Sequence, residues 1–240
     1  MKSIVKQALC NAGYRLVPRD RDAYTLKERL TRLPIRTVID VGANTGETCK
    51  GWLADFPHAH VHGIEAEPSV FATFKANVAH LEDRITPWHF AAADEPGQIS
   101  FFRHENHPSS SSMMRSTAFS EEALPFTKIR REVIVEARRL DDVFVNTGIK
   151  LEPDIFIKLD VQGAEVRALL GAPSLLARTR AVLCEINVAP VYEGQPSLSE
   201  IMAVLAKSGL NFAGFIEQYH LVDGTAVYFD GLFLNTALGA

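Results

Sequence analysis

The chain has 240 residues, of which 47% are hydrophobic and 22% charged, and its formal net charge is −4. This composition is that of an ordinary globular protein with one sizeable core, and it excludes a disordered or fibrous chain. The slight acidic excess predicts no nucleic-acid partner, because nonspecific nucleic-acid binding needs a clustered basic surface.

The lengths of uncharged stretches, the N-terminal residues and the cysteines together predict where in the cell the protein is found. Stretches without charged residues are far shorter than the roughly 20 residues of a membrane-spanning helix. Residues 1–7 lack the apolar core of a signal peptide, and the three cysteines are widely spaced, as in a reducing compartment. We therefore expect a cytoplasmic protein with no integral membrane segment, and the sequence leaves the oligomeric state open.

Hydrophobic spacing predicts the elements in chain order. Apolar residues at helical intervals over residues 1–33 predict an N-terminal helical cap, which precedes a main domain of residues 34–240. Strands are predicted at 37–41, 61–65, 85–92, 99–103, 133–135, 155–160, 181–186, 212–216 and 227–234, and helices at 46–56, 68–79, 140–145, 163–170 and 198–208. The run of serines at 109–112 predicts a mobile loop that either closes over a site or lies idle.

This alternation of strands and helices predicts the fold class. It indicates an α/β protein with a doubly wound, mostly parallel sheet, and the last two strands predict an antiparallel C-terminal hairpin at one edge. Ligands bind such sheets beyond the carboxyl ends of the strands, so the residues at those ends are the candidates for chemistry.

A glycine-containing turn after the first predicted strand is the first candidate. Gly42 and Gly46 allow a tight bend and a close approach of a cofactor, although a turn without a ligand has the same spacing. Glu65 ends the next predicted strand, about 20 residues further on, where dinucleotide-type folds place an acidic residue on ribose hydroxyls.

Two cofactor chemistries compete for this turn. Asn44 replaces the second glycine of the dinucleotide fingerprint, and Asp40 would repel a pyrophosphate. S-adenosylmethionine has no phosphate and carries a sulfonium and an ammonium group, so the residues favour it. A nucleotide-dependent oxidoreductase and a non-catalytic S-adenosylmethionine-binding protein remain the alternatives.

Four blocks of the sequence, in the same order, resemble the FkbM family of S-adenosylmethionine-dependent O-methyltransferases. The blocks are Val38–Thr48, Gly63–Pro68, Ile157–Glu165 and Glu185–Asn187 with Val191–Gly194. The resemblance implies a class I, Rossmann-like methyltransferase that acts on a hydroxyl of a small-molecule or glycolipid acceptor. Members of about this length 2-O-methylate fucose on rhizobial lipochitooligosaccharide nodulation signals.

The resemblance also implies cofactor contacts. The methionine end of the cofactor would lie on the turn, at Asp40, Gly42, Asn44 and Gly46. Glu65 would hold the ribose, and Asp94 stands where such folds hold the adenine amino group.

Polar residues after the two late strands are the candidates for catalysis and acceptor binding. Asp160 is the first candidate for a general base, and Glu185 and His220 are further catalytic candidates. The substrate candidates are Glu165, Asn187, Tyr192 and Gln195. Carboxylates near one crevice make Mg²⁺ possible, but no octahedral spacing is evident and we expect no metal.

Overall fold

The computed structural model describes residues 11, 24–128 and 130–238. Most of the predicted cap therefore lies outside the described residues. In chain order the elements are α1 Tyr24–Thr31, β1 Thr37–Val41, α2 Glu47–Asp55, β2 His60–Glu65, α3 Pro68–Val78, β3 Ile85–His89, β4 Ala91–Ala92, β5 Gly97–His104, α4 Ala118–Ala123, β6 Arg130–Arg138, α5 Leu140–Phe144, β7 Ile155–Leu159, α6 Glu165–Leu170, α7 Pro173–Leu176, β8 Thr179–Asn187, α8 Leu198–Ala206, β9 Leu210–His220 and β10 Ala226–Asn235.

The main sheet has seven strands in the order β3-β2-β1-β7-β8-β10-β9. The first five are parallel to one another, and β10 runs antiparallel to both β8 and β9. This confirms the predicted mostly parallel α/β sheet with an antiparallel hairpin at its C-terminal edge. Among the described residues, every helix is too short or too polar to cross a lipid bilayer.

Both faces of the sheet are covered, which explains the nearly continuous apolar character of its central strands. Residues of α1 to α3 bury one face together with Val38 and Phe156. Residues of α5 to α8 bury the other face together with Ile39 and Ile157. Because neighbours along a strand point to opposite faces, alternate residues of β1 and β7 enter different cores.

A second, three-stranded sheet in the order β4-β6-β5 differs from the prediction. The predicted strand 85–92 is divided at Phe90, so that Ile85–His89 joins the main sheet and Ala91–Ala92 joins the small one. Strands β5 and β6 pair antiparallel, from Gly97 opposite Ala137 to His104 opposite Arg130. The small sheet places the side chain of Phe101 on a cleft at the edge of the main sheet.

The serine run is anchored to the rest of the fold. Ser112 is fully buried, and its hydroxyl donates to the backbone oxygen of Gln162 at 2.6 Å and accepts from the backbone nitrogen of Met114 at 2.9 Å. Residues Pro108–Ser110 form one turn of 3₁₀ helix. These contacts fix the segment against the rest of the fold, where a mobile loop was predicted.

Candidate active site

A cleft opens beyond the carboxyl ends of β1, β2 and β7, where ligands of parallel sheets bind. Its polar lining includes Asn44, Glu65, Asp160 and Gln162. Its apolar lining includes Ile64, Phe90, Ala92, Phe101 and Met113.

The turn after β1 is shaped by close packing. Gly42 has φ +91°, and a Cβ there would stand 1.9 Å from the backbone oxygen of Asp160. Asn44 has φ 50°, a left-handed conformation that asparagine tolerates. Gly46 begins α2 with φ +88°, and a Cβ there would lie 2.5 Å from Cδ2 of Phe74. The missing Cβ at Gly42 therefore makes room for the backbone of Asp160, and the missing Cβ at Gly46 makes room for a core phenylalanine.

The Glu65 carboxylate is held in place by backbone donors. One oxygen accepts from the backbone nitrogen of Asn44 at 3.0 Å, and the other accepts from that of Glu67 at 2.8 Å. Burial raises the pKa of Glu65 to about 7. The carboxylate lines the cleft in a fixed orientation and offers its remaining lone pairs to hydroxyl groups.

Three predicted cofactor residues, Asp40, Gly46 and Asp94, lie outside the lining of the cleft. Asp40 is buried under the turn, where its carboxylate accepts from the Cys49 thiol at 3.2 Å, and burial raises its pKa to about 6. Asp94 accepts from Nε of Arg167 at 2.8 Å. Nη1 of the same arginine lies 3.4 Å from Sδ of Met113, a lining residue. Cofactor contacts of Asp40, Gly46 and Asp94 stay predictions.

Lys158, on β7, is buried among carboxylates. Nζ of Lys158 is 3.0 Å from Oδ1 of Asp230 and 3.7 Å from Oδ2 of Asp160. Burial by itself lowers the pKa of Lys158, but attraction to Asp160, Asp230 and Glu185 raises it above its usual value. Lys158 is therefore a permanent cation that orients the carboxylates around it.

Gln162 connects the candidate catalytic residues. Its amide nitrogen donates to Oδ1 of Asp160 at 2.6 Å and to Oε1 of Glu185 at 2.8 Å, and its oxygen accepts from the hydroxyl of Tyr192 at 2.5 Å. Burial and repulsion from Asp160 raise the pKa of Glu185 well above its usual value. Burial therefore favours the neutral form of Glu185, and Asp160, with 33% of its side chain exposed, is the carboxylate that an acceptor can reach.

A second cavity meets the cleft at Asp160 and Gln162. Glu185, Asn187 and Tyr192 line it, so the structure brings together four of the predicted catalytic and substrate residues. Asp160 borders both spaces and has 33% of its side chain exposed. We refer to this space as the acceptor cavity.

Three other predicted residues are placed elsewhere. Glu165 is buried, accepts from the backbone nitrogen of Gly163 at 3.0 Å, and has its pKa raised by burial to about 7. The amide of Gln195 donates to two backbone carbonyls and accepts from the backbone nitrogen of Tyr192. His220, expected in a loop, is the last residue of β9, exposed and outside the lining of both cavities.

The arrangement of side chains around the two cavities also bears on metal binding. Within the described part of the chain, no group of three or more histidine, cysteine, aspartate or glutamate side chains has the arrangement of a metal site. The carboxylates of the acceptor cavity instead face Lys158 and Gln162.

Several site residues were not predicted from the sequence. They are Lys158, Gln162, Tyr219, Tyr228 and Asp230. A lysine within the apolar strand Ile155–Leu159 is a readable signal, because a buried lysine requires carboxylate partners. Gln162 has a left-handed backbone conformation, with φ 56°. No local sequence pattern predicts this conformation, so the role of Gln162 was missed.

Comparison with known proteins identifies the family. A sequence model described as the methyltransferase FkbM domain matches residues 40–216. The 2-O-methyltransferase NoeI of Sinorhizobium fredii (strain NBRC 101917 / NGR234) is 30% identical over 186 residues, which cover 73% of this chain and 73% of that protein. The chain therefore belongs to the FkbM methyltransferase family, as the sequence blocks indicated, and it is a methyltransferase.

Solved structures overlap much of the chain at low similarity. Aeropyrum pernix fibrillarin in complex with natively bound S-adenosyl-L-methionine is 14% identical, with a TM-score of 0.47 over 89% of this chain and 76% of that chain. Precorrin-6y C5,15-methyltransferase from Geobacter metallireducens GS-15 is 11% identical, with a TM-score of 0.46 over 89% of this chain and 87% of that chain.

Proposed function

We propose that this methyltransferase transfers the methyl group of S-adenosylmethionine to a hydroxyl of a sugar-containing acceptor. The observation that carries the proposal is the junction of the cleft and the acceptor cavity at Asp160, in a chain of the FkbM family. When bound, S-adenosylmethionine supplies a methyl carbon already activated by its sulfonium. The protein then has to align the two reactants and remove a proton.

The cleft residues fit this cofactor. Gly42 and Asn44 line the cleft, and the absence of a Cβ at Gly42 lets the turn pack directly on the backbone of Asp160, so the methionine portion lies on a turn of fixed shape. The fixed carboxylate of Glu65 accepts hydrogen bonds from the ribose hydroxyls. The apolar lining between the main and small sheets suits the adenine ring.

Asp160 is the proposed general base. The acceptor oxygen forms its bond to the methyl carbon as the carbon–sulfur bond breaks with its electron pair going to sulfur, and the hydroxyl proton passes to Asp160. Lys158 and Gln162 hold the carboxylate in position through contacts at 3.7 Å and 2.6 Å. Glu185 accepts from the same Gln162 amide, so one side chain positions both carboxyl groups.

Two indications favour a particular hydroxyl position and a particular sugar for the acceptor. The relative NoeI is named a 2-O-methyltransferase, which favours a hydroxyl at position 2. The sequence resemblance favours fucose on a lipochitooligosaccharide nodulation signal as the first acceptor to test. We also propose that residues 34–240 form the catalytic domain behind a cap at 1–33, and that the reaction takes place in the cytoplasm.

Calorimetric titration with S-adenosylhomocysteine and, in parallel, NAD⁺ tests the cofactor. We expect micromolar binding of S-adenosylhomocysteine, about −8 kcal/mol, and no binding of NAD⁺. Methyl transfer is then measured with fucosylated chitooligosaccharides and with the same oligosaccharides lacking fucose as the matched control. Binding of NAD⁺ in place of S-adenosylhomocysteine contradicts the proposed function, and equal transfer to both oligosaccharides contradicts fucose as the acceptor sugar.

A further inference from the structure

Two tyrosine rings form an open aromatic surface on one wall of the acceptor cavity. Tyr219 on β9 and Tyr228 on β10 stand opposite each other in the ladder, and their rings stack with centroids 5.3 Å apart and planes inclined by 15°. Tyr219 is 42% exposed, and both residues line the cavity. Rings of this kind present a flat apolar face with hydroxyls at the edge, which matches the C–H face of a sugar.

Asn187 extends this surface by one strand. It lies opposite Tyr228 in the ladder between β8 and β10, so Asn187, Tyr228 and Tyr219 form one row across three strands. Side chains of directly opposed residues share a face of the sheet. The amide nitrogen of Asn187 is buried without a hydrogen-bond partner among the described residues, although the residue lines the cavity. A ligand oxygen would remove the cost of this unpaired donor.

The charges of the cavity select against anionic ligands. The Asp160 carboxylate lines it, and its described lining contains neither lysine nor arginine. The nearby Lys158 contacts Asp160 and Asp230. A phosphate group here would face the Asp160 carboxylate without the bidentate cationic partners that phosphate sites use.

We propose that Asn187, Tyr219 and Tyr228 form a subsite for an uncharged sugar ring in glycosidic linkage. This inference rests on the proposed function and specifies its acceptor. The sugar packs on the outer face of the tyrosine pair, and the Asn187 amide donates to one of its oxygens. A glycosyl-transfer reaction that removes the nucleotide or phosphate from the activated sugar must therefore precede methylation.

Methyl transfer to three matched series of sugars tests the charge selection. The probes are neutral p-nitrophenyl glycosides, the corresponding sugar 1-phosphates and the nucleotide-linked sugars. We expect turnover of at least one neutral glycoside and a much lower kcat/KM for its charged counterparts. A higher kcat/KM for the phosphate or nucleotide forms overturns the proposal.

Substitutions test the three residues individually. Tyr219→Leu, Tyr228→Leu and Asn187→Leu are each expected to raise KM for the neutral glycoside by about tenfold, with affinity for S-adenosylhomocysteine unchanged. Phe215→Leu is the matched control, because Phe215 is an exposed aromatic residue on the same strand and lies outside the cavity lining. Equal effects of Phe215→Leu and the tyrosine variants overturn the subsite.

Two binding measurements separate failure of this inference from failure of the proposed function. Saturation-transfer NMR with the neutral glycosides is recorded on the wild-type protein saturated with S-adenosylhomocysteine. Binding of S-adenosylhomocysteine without contact to any glycoside overturns the subsite and leaves the cofactor assignment in place. Failure to bind S-adenosylhomocysteine overturns the proposed function itself.

Discussion

At the scale of single residues, Glu65 has an environment that makes its ligand affinity depend on pH. Its pKa is raised by burial to about 7, and ribose hydroxyls bind best to the ionised form. We therefore expect affinity for S-adenosylhomocysteine to fall as pH decreases from 8 to 6, through the pKa of Glu65. Glu65→Gln removes the charged acceptor, so affinity at pH 8 should drop by about tenfold to a hundredfold and lose this pH dependence.

Calorimetry at pH 6, 7 and 8 measures both effects. Glu47→Gln is the control, because the Glu47 side chain is 71% exposed at the start of α2 and lies outside the cleft lining. An unchanged pH dependence in Glu65→Gln would show that another group controls binding.

Asp160 and Glu185 have similar surroundings but different expected roles. Asp160→Asn removes the proposed base and should lower kcat by about 10²–10⁴-fold while leaving affinity for S-adenosylhomocysteine nearly unchanged. Single-turnover transfer and calorimetry measure the two quantities. Asp223→Asn, in the exposed turn between β9 and β10, is the control. Loss of cofactor affinity equal to the loss of rate would place Asp160 in cofactor binding and remove it as the base.

Local sequence patterns predicted only part of this site, for a geometric reason. Asp160, Glu185 and Asn187 follow or end two apolar strands, and adjacent parallel strands bring their carboxyl ends together. Tyr219 and Tyr228 were missed because only the register of β9 on β10, with its bulges, places them in line with Asn187. Register of this kind depends on long-range pairing that the residues of one strand do not encode alone.

At the scale of elements, the segment 108–116 connects both cavities to the sheet. Ser109 lines the cleft and the acceptor cavity, and Ser111 and Met113 line the cleft. Ser112 fixes this segment through its two hydrogen bonds to the backbone. The hydroxyl of Tyr192 adds a contact to the backbone oxygen of Ser110 at 3.1 Å.

Ser112→Ala should therefore weaken both folding and ligand binding. Loss of a buried hydroxyl that leaves its partners unpaired reduces the free energy of unfolding by about 1–3 kcal/mol. Affinity for S-adenosylhomocysteine should fall as well, because the wall of the cleft loses its anchor. Urea unfolding and calorimetry measure the two effects, with Ser199→Ala on the exposed face of α8 as the control. Wild-type affinity in a destabilised Ser112→Ala variant would separate the segment from ligand binding.

The elements themselves differ in how well local sequence predicts them. Buried central strands such as Ile155–Leu159 have a continuous apolar run that favours one assignment. Residues 85–92 have the same character, yet the chain leaves the main sheet at Phe90 and Ala91–Ala92 pair with β6. The small sheet follows from pairing between segments far apart in sequence, which hydrophobic spacing does not specify.

At the scale of the whole molecule, buried carboxyl groups set the dependence of stability on pH. Burial raises the pKa of Asp40 to about 6, those of Glu65 and Glu165 to about 7, and that of Glu185 well above its usual value. Between their unfolded and folded pKa values, the native state binds more protons than the unfolded chain. These groups therefore make the unliganded protein less stable as pH rises from about 4.5 to 7.

Glu165→Gln isolates one of these groups, because the neutral amide keeps an oxygen that can accept from Gly163. A shift of the pKa from 4.5 to about 7 corresponds to a penalty of order 3 kcal/mol above pH 7, which the substitution removes. We expect the variant to be stabilised at pH 8, nearly unchanged at pH 4.5, and less dependent on pH in between. Urea unfolding of the unliganded protein measures this, with the exposed Glu82→Gln as the control. A wild-type pH dependence in Glu165→Gln would mean that the other buried carboxyl groups, above all Glu185, account for the effect.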